Sequence, residues 1–399
     1  MFKVILCSLV TAGVYAATLE RGLELLEKNE KIKSAVIDFD RAENNVDFLK
    51  GNVYPDVSLN GNYSKLGPGT GIEEKDTTLL SVNLTQPLFR GLREFKTIEA
   101  SKLYSKSKLY IKDSITRELK SLFVSEYFSL LSLYKERDLT QRLLDLSNKR
   151  VNEINDRVRI GKSKRADLYT AKSQAFSAES LLQELNSKIE KAKISISLLV
   201  NKQMEMTNMI PPKEISDLYV HKNYDGYPTL KTYEALKEAA KLGLKISKGA
   251  HLPTVDLKAN YYASKSNLPS QRDWDASVVV TLPLYEGGKT SADVTDKALA
   301  INQAEYDLMS AKKSVVQMID TILTEYQTGQ RRIALLFKSK NAAKTSYEEL
   351  LREYNLGLIT NLDVIQSLNQ YIDAEKNYYK TLYTVQASAY RYKILTENI

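Results

Sequence analysis

Two aspartates stand at matched places in this chain. Asp167 follows Gly161 by six residues in RVRIGKSKRADL (157–168), and Asp363 follows Gly357 by six in EYNLGLITNLDV (353–364). Glycine ends a helix in a left-handed conformation that a β-carbon resists. A carboxylate just beyond can cap the next helix: Thr360 with Asp363 three residues on is close to a capping box, and the macrodipole favours the charge there. Other reactive types are thin. GPGTG (67–71) resembles a phosphate loop but lacks the following Lys-Ser/Thr and does not open a helix after a strand, so it reads as a surface loop. Glu73 and Glu74 lie in the same loop as solvated charge, and His221 and His251 stand apart. With one cysteine, Cys7, the chain offers no disulfide framework, no cysteine zinc site and no nucleophile–base arrangement. No catalysis, metal or cofactor is expected.

Cys7 sits in an apolar run, Val4 to Val14, preceded by Lys3 and followed by Val14-Tyr15-Ala16. That is the pattern of a secretory signal peptide, 1–16. Cys7 is too early and in the wrong context to be a lipidated first residue. Net charge is +8, and +7 without Lys3, with charges scattered at helical spacing. They read as solvated helix faces, and no nucleic-acid partner is expected. No later stretch reaches the roughly 18 apolar residues of a transmembrane helix.

The elements that position the aspartates come twice. Pro87, Gly91, Gly161 and Asp167 recur 196 residues on as Pro283, Gly287, Gly357 and Asp363, and VNLTQPLFRG (82–91) returns as VVVTLPLYEG (278–287). PDVSLNGNY (55–63) returns 198 residues on as PTVDLKANY (253–261). The two-residue slip falls in the loop between these blocks, where insertions are tolerated. Each half reads as helix, two strands, a very long helix, a tight turn and a shorter helix. The first half, 17–210, has strands at 55–65 and 77–89, a long helix over 91–158 and a return helix over 164–200. The second half, 229–399, has strands at 253–263 and 275–285, a long helix over 289–354 and a return helix over 361–397. Leading helices cover about 18–50 and 229–248, and an irregular segment, 211–228, joins the halves. Helices of this length with steps of three, four and seven belong to coiled-coil packing; sixty-six residues would run roughly 100 Å.

The strands alternate with period two, with Val279 the one valine on the polar side of 278–284. Val57, Leu59, Val82, Leu84, Val255, Leu257, Val278 and Val280 take one face. Ser58, Asn60, Asn62, Asn83, Thr85, Asp256, Lys258, Asn260 and Thr281 take the other. The chain has no globular text to cover the apolar face, so lipid is its expected partner, with the polar residues lining a lumen. Tyr63, Phe89, Tyr261, Trp274 and Tyr285 lie near strand ends, where aromatic girdles sit. Four strands cannot close a barrel, and lipid forbids open edges. A dimer with eight strands or a trimer with twelve would satisfy the rule.

The signal peptide, duplicated strand pairs ending in PLFRG and PLYEGG, long helices and the turn YNLGLITNLDVIQSLNQ (354–370) together resemble the TolC family of outer-membrane efflux ducts. The resemblance implies a homotrimer, with a twelve-strand barrel in the outer membrane continued by an α-helical tunnel across the periplasm. It also implies two partners, a periplasmic adaptor and an inner-membrane pump of RND or ABC type. A family acidic position matching Asp363 rings the closed periplasmic mouth, so Asp363 and Asp167 become gate residues. A second acidic position in some members is Gln366 here, which makes the mouth a weaker cation site. Gly161, Gly357, Leu358 and Thr360 are candidates for adaptor contact. The function expected is a passive exit duct of a tripartite efflux or type I secretion system, gated at its helix tips. The alternative is a coiled-coil scaffold of the periplasm or cell surface that transports nothing.

Overall fold

The computed structural model describes residues 18–66, 75–202, 209, 211–215, 218, 224–266 and 272–396. The expected signal segment, the GPGTG loop with Glu73 and Glu74, and His221 lie outside them. The elements in order are α1 (Leu19–Leu25), α2 (Glu30–Gly51), β1 (Asp56–Leu66), β2 (Lys75–Arg90), α3 (Arg93–Arg159), α4 (Arg165–Val200), α5 (Pro228–Gly249), β3 (Thr254–Ser266), β4 (Trp274–Thr281), α6 (Lys289–Asn355) and α7 (Asn361–Thr396). The described residues fall into two compact units. One takes 18–33, 115–224 and 316–396, and the other takes 34–114 and 225–315.

Among the described residues, the regular elements of the first unit are helices. Buried residues of α4 fall at Ala171, Ala175, Ala178, Leu185, Ile189, Ile196 and Val200, steps of three, four and seven that keep one face on its neighbours. Phe123, Tyr127 and Leu130 of α3 pack with Leu19, Leu26, Ile189, Ile196 and Ile394 in the largest cluster. Further along, Leu139 and Leu143 meet Ala178, Leu368 and Ile372, and Ile154 meets Ala171 and Ile365. Each such leucine or isoleucine burial contributes about 1.5–3 kcal/mol. Gly329, the only glycine in α6, sits against α7: a β-carbon there would fall 2.2 Å from Cγ2 of Val385. Segment 211–228 shows no helix or strand in its described residues before Pro228. Its chain is held by the Ile215 amide donating to Gln386 Oε1 (2.9 Å) and by the Tyr390 hydroxyl donating to the Lys213 carbonyl (2.8 Å).

The helix expected over about 18–50 is in fact broken. A 3-10 turn at Leu26–Lys28 ends at Asn29, whose backbone is extended. Asn29 is buried; its Oδ1 accepts from the Lys31 amide (2.9 Å), capping α2, and its Nδ2 donates to the Leu199 carbonyl (2.8 Å). One side chain thus caps a new helix and anchors the break to α4.

In the second unit, one antiparallel sheet runs in the order β1-β2-β3-β4. β1 and β2 pair with Asp56 opposite Thr85 and Ser58 opposite Asn83. β3 and β4 pair with Thr254 opposite Thr281 and Asp256 opposite Val279. Between the hairpins, Asn83 faces Asn260 and Thr85 faces Lys258, with a shift between Pro87 and Phe89. Proline cannot donate to the ladder, and it sits here beside a bulge.

β4 corrects the expected 275–285: it ends at Thr281, and Leu282–Glu286 form no strand. β2 keeps its equivalent residues in strand because β3 pairs with them as far as Arg90 and Thr254. Among the described residues, β4 has no second neighbour to do the same. Strand length here is set by pairing, not by side-chain pattern.

Candidate functional site

Both helix turns of the first unit close by the same hydrogen bonds. At the end of α3, the Lys162 amide donates to the Arg157 carbonyl (2.7 Å) and the Gly161 amide to Val158 (3.1 Å). At the end of α6, Leu358 donates to Glu353 (3.0 Å) and Gly357 to Tyr354 (2.9 Å). This paired 6→1 and 5→2 pattern requires a left-handed residue. Gly161 and Gly357 supply it, at φ +75° and +80°. Nothing lies within 4 Å of a β-carbon built at either, so the constraint is backbone conformation alone.

The aspartates then start the return helices. Asp363 Oδ2 accepts from the Thr360 amide (3.0 Å) and the Thr360 hydroxyl (2.5 Å), while the Asp363 amide donates to Thr360 Oγ1 (3.4 Å). The Thr360 hydroxyl first, and its amide second, hold the Asp363 carboxyl below the usual carboxylate range. Asp167 Oδ2 accepts from the Ser163 hydroxyl (2.9 Å) and the Lys164 amide (3.2 Å). Lysine has no acceptor to return the bond, so this cap is one-sided. Gln366 is exposed one turn beyond Asp363, and Gly161, Gly357, Leu358 and Thr360 are all exposed. Ile160 and Leu356, not singled out from sequence, are exposed apolar residues immediately before the two glycines. Their signal was an apolar side chain in a turn that needs none.

Side chains tie the two turns' helices together. The guanidinium carbons of Arg150 and Arg157 lie 4.0 and 4.4 Å from the centroid of the buried Tyr354 ring. Gln174 Nε2 of α4 donates to Asn369 Oδ1 of α7 at 2.8 Å. Arg142 Nη1 of α3 reaches Glu375 Oε2 of α7 at 3.1 Å and also points at the Tyr371 hydroxyl (3.5 Å). These groups lie too far apart in sequence for spacing to pair them.

In the second unit, the register assembles the expected polar residues on one face of the sheet. Ser58, Asn83, Asn260 and Asp275 form a row across all four strands, and Thr85, Lys258 and Ser277 form another. Asn60 and Asn62 continue the face along β1, Asp256 along β3 and Thr281 along β4. Asn260 Nδ2 (2.9 Å) and the Tyr262 hydroxyl (2.6 Å) both donate to Asp275, and Arg90 Nε donates to Asp256 (2.9 Å). Asp275, Tyr262 and Arg90 join this face without having been picked out from sequence; the period-two pattern reaches Asp275 and Tyr262, but Arg90 follows the bulge. Asn83 Oδ1 is buried with no hydrogen-bond partner among the described residues. The opposite face carries Val57, Leu59, Val82, Val278, Val280 and Trp274, all exposed, Leu59 at 68% and Trp274 at 67%.

Among the described residues, no group of three or more His, Cys, Asp or Glu could hold a metal ion, and His251 is an exposed turn residue. No described helix is long and apolar enough to cross a membrane.

The sequence profile described as Outer membrane efflux protein matches residues 23–202 and 225–391. Outer membrane efflux protein BepC of Brucella suis biovar 1 (strain 1330) is 21% identical over 345 residues, covering 83% of this chain and 74% of the relative. Outer membrane protein TolC of Salmonella enteritidis is 21% identical over 384 residues, 89% of this chain and 77% of the relative. Among solved structures, the crystal structure of CusC superposes with a TM-score of 0.88 at 13% identity, covering 94% of this chain and 91% of that one.

Proposed function

The chain belongs to the outer membrane efflux protein family, the TolC family of outer-membrane channels, which are passive transporters and not enzymes, and on that premise we propose that it is the exit duct of a tripartite efflux or type I secretion system. Three copies would each contribute four strands to one closed barrel, and their helices would continue it as a tunnel into the periplasm. A periplasmic adaptor would join the duct to an inner-membrane RND or ABC pump that supplies the energy.

The observation that carries this reading is the sheet. Its apolar face is exposed along β1 and β4 and at Leu80 and Val82 of β2 and Tyr261 of β3, its polar face is ordered in rows, and β1 and β4 each pair on one side only among the described residues. Lipid tolerates the first feature, a water-filled lumen suits the second, and closure with further copies removes the third. The two halves support the repeat: α3 and α6 each have 67 residues, and α4 and α7 each have 36. Ser58, Asn60, Asn62, Asn83, Thr85, Asp256, Lys258, Asn260 and Thr281 would line the lumen.

The gate would lie at the helix turns, with Asp363, Asp167 and Gln366 near the mouth and Gly161, Gly357, Leu358 and Thr360 offered to the adaptor. Opening would move the α6–α7 pair against the α3–α4 pair as a two-state change that adaptor contact biases. The test is single-channel conductance of the purified protein in a planar bilayer, wild type beside Asp363→Ala. A small conductance that rises in the variant is expected. A protein soluble without detergent that conducts in neither form would overturn the duct and leave the scaffold.

A further inference from the structure

A cavity of about 110 Å³ lies inside the first unit, and α3, α4, α6 and α7 all wall it. Leu146 of α3, Leu351 of α6 and Val364, Ile365 and Leu368 of α7 make most of its surface aliphatic, and α4 adds Ala171. Two lining residues break that pattern. Ser147 and Arg150 stand three residues apart on α3, so they share one helix face.

Both side chains are more than nine-tenths buried, Arg150 at 7% exposure and Ser147 at 4%. Each keeps one polar atom with no hydrogen-bond partner among the described residues, Arg150 Nη2 and Ser147 Oγ. The other end of the guanidinium is engaged: Nη1 donates to Glu153 Oε2 (2.8 Å), and the guanidinium carbon lies 4.0 Å from the centroid of the Tyr354 ring. A helical serine commonly returns its hydroxyl to a carbonyl three or four residues back, as Ser367 does to Val364 (2.9 Å). Ser147 does not. Buried donors left unpaired are costly, and one acceptor group serving both would relieve the cost.

Nη2 can only donate, so the missing partner is an acceptor. Water suits the place poorly, because a buried water needs about two to four polar partners and most of this wall is aliphatic. Among the charged residues lining the cavity, Lys149 and Arg150 outnumber Glu153, which favours an acceptor that carries negative charge. In size the cavity is close to the engineered one of about 150 Å³ that takes up benzene. We propose that it is a binding site for a small organic carboxylate. The charged end takes Arg150 Nη2 and the Ser147 hydroxyl, and an apolar body no larger than a benzene ring lies among Leu351, Val364, Ile365 and Leu368. Because its walls come from four helices, the bound molecule favours the arrangement that keeps the four packed together. In the duct proposed above it would be a closing effector, a consequence that rests on that reading; the binding itself does not.

The probe is benzoate, with benzyl alcohol as a similar body without the charge, each titrated calorimetrically into the full-length protein in detergent. Benzoate should bind several-fold more tightly than benzyl alcohol, and hydrogen exchange across residues 353–364 should slow several-fold when it is bound. Arg150→Gln should weaken benzoate several-fold, whereas Arg137→Gln, elsewhere on α3, should leave its affinity unchanged. Removing a buried cation can itself disturb packing, so Val364→Phe gives a second reading: it fills the cavity, keeps Arg150, and should abolish binding at unchanged helix content. Equal affinity for the two probes would reduce the site to an apolar cavity and overturn the carboxylate. Binding of neither would assign the cavity to water alone and overturn the site. Benzoate that binds Val364→Phe as it binds wild type would lie elsewhere and overturn it too. Binding without slower exchange would overturn its hold on the four helices.

Discussion

The guanidinium of Arg142 lies 3.1 Å from the carboxylate of Glu375, joining α3 to α7 across 233 positions of sequence. Arg142 is half-exposed and Glu375 is nearly buried, so the pair is asymmetric. Removing the arginine leaves a carboxylate that water reaches poorly with only the Tyr371 hydroxyl beside it, at a cost of roughly 1–3 kcal/mol. Arg142→Ala should therefore lower the denaturant midpoint more than Arg137→Ala, whose partner Asp138 is exposed. It should also raise resting conductance if this pair holds the two helix pairs in their closed arrangement. Glu375→Gln, which leaves no stranded charge, should open the channel with a smaller loss of stability. Equal midpoints for Arg142→Ala and Arg137→Ala would remove the claim that the pair joins the helices.

The Asp363 cap makes a pH prediction. Because the folded carboxyl titrates below its ordinary range, its stabilisation is complete above the unfolded pKa of about 4 and is lost as pH falls through the lower folded value. Hydrogen exchange at the start of α7 should hold level from about pH 8 down to about 5, after correction for intrinsic rates, and rise only in stronger acid. Asp363→Asn should flatten that acid limb. A loss of protection near neutrality would assign the turn's stability to some other group.

Gly357→Ala tests the turn itself. At φ +80° with open space around it, alanine meets no neighbour and bears only the left-handed backbone cost, about 1–2 kcal/mol. Gly357→Asn should recover much of the loss, since asparagine tolerates that region. Exchange rates across residues 353–364 compare the two. If alanine and asparagine behave alike, the constraint is not conformational.

Which parts were legible in the sequence follows from what each part depends on. The ends of the long helices were, because glycine and the apolar steps mark them locally. The polar row Ser58–Asn83–Asn260 was, because period two fixes faces before any pairing is known. The break at Asn29 was not, since the residue sits among good helix formers and its reason, the Leu199 carbonyl, comes 170 positions later. Arg142 and Glu375 looked like solvated helix charges for the same reason. The early end of β4 was illegible because Pro283 and Leu284 repeat Pro87 and Leu88; pairing alone separates them.

The lipid-facing claim is tested by one charge moved between adjacent residues. Val278 and Ser277 are neighbours on β4, and both are exposed. They point to opposite faces, Val278 beside Leu257 and Ser277 beside Lys258. A lysine on the lipid face of a membrane barrel costs about 2–4 kcal/mol at the bilayer midplane and less near its edges, whereas a lumen position stays hydrated. In a trimer the penalty would fall three times in one barrel. Val278→Lys should therefore insert poorly into lipid vesicles, and Ser277→Lys should insert like wild type while shifting ion selectivity away from cations. A sheet packed against another protein surface would also reject Val278→Lys, but neither substitution's effect would then depend on lipid. Equal insertion of both variants removes lipid as the partner of the face carrying Val57, Leu59, Val278 and Val280.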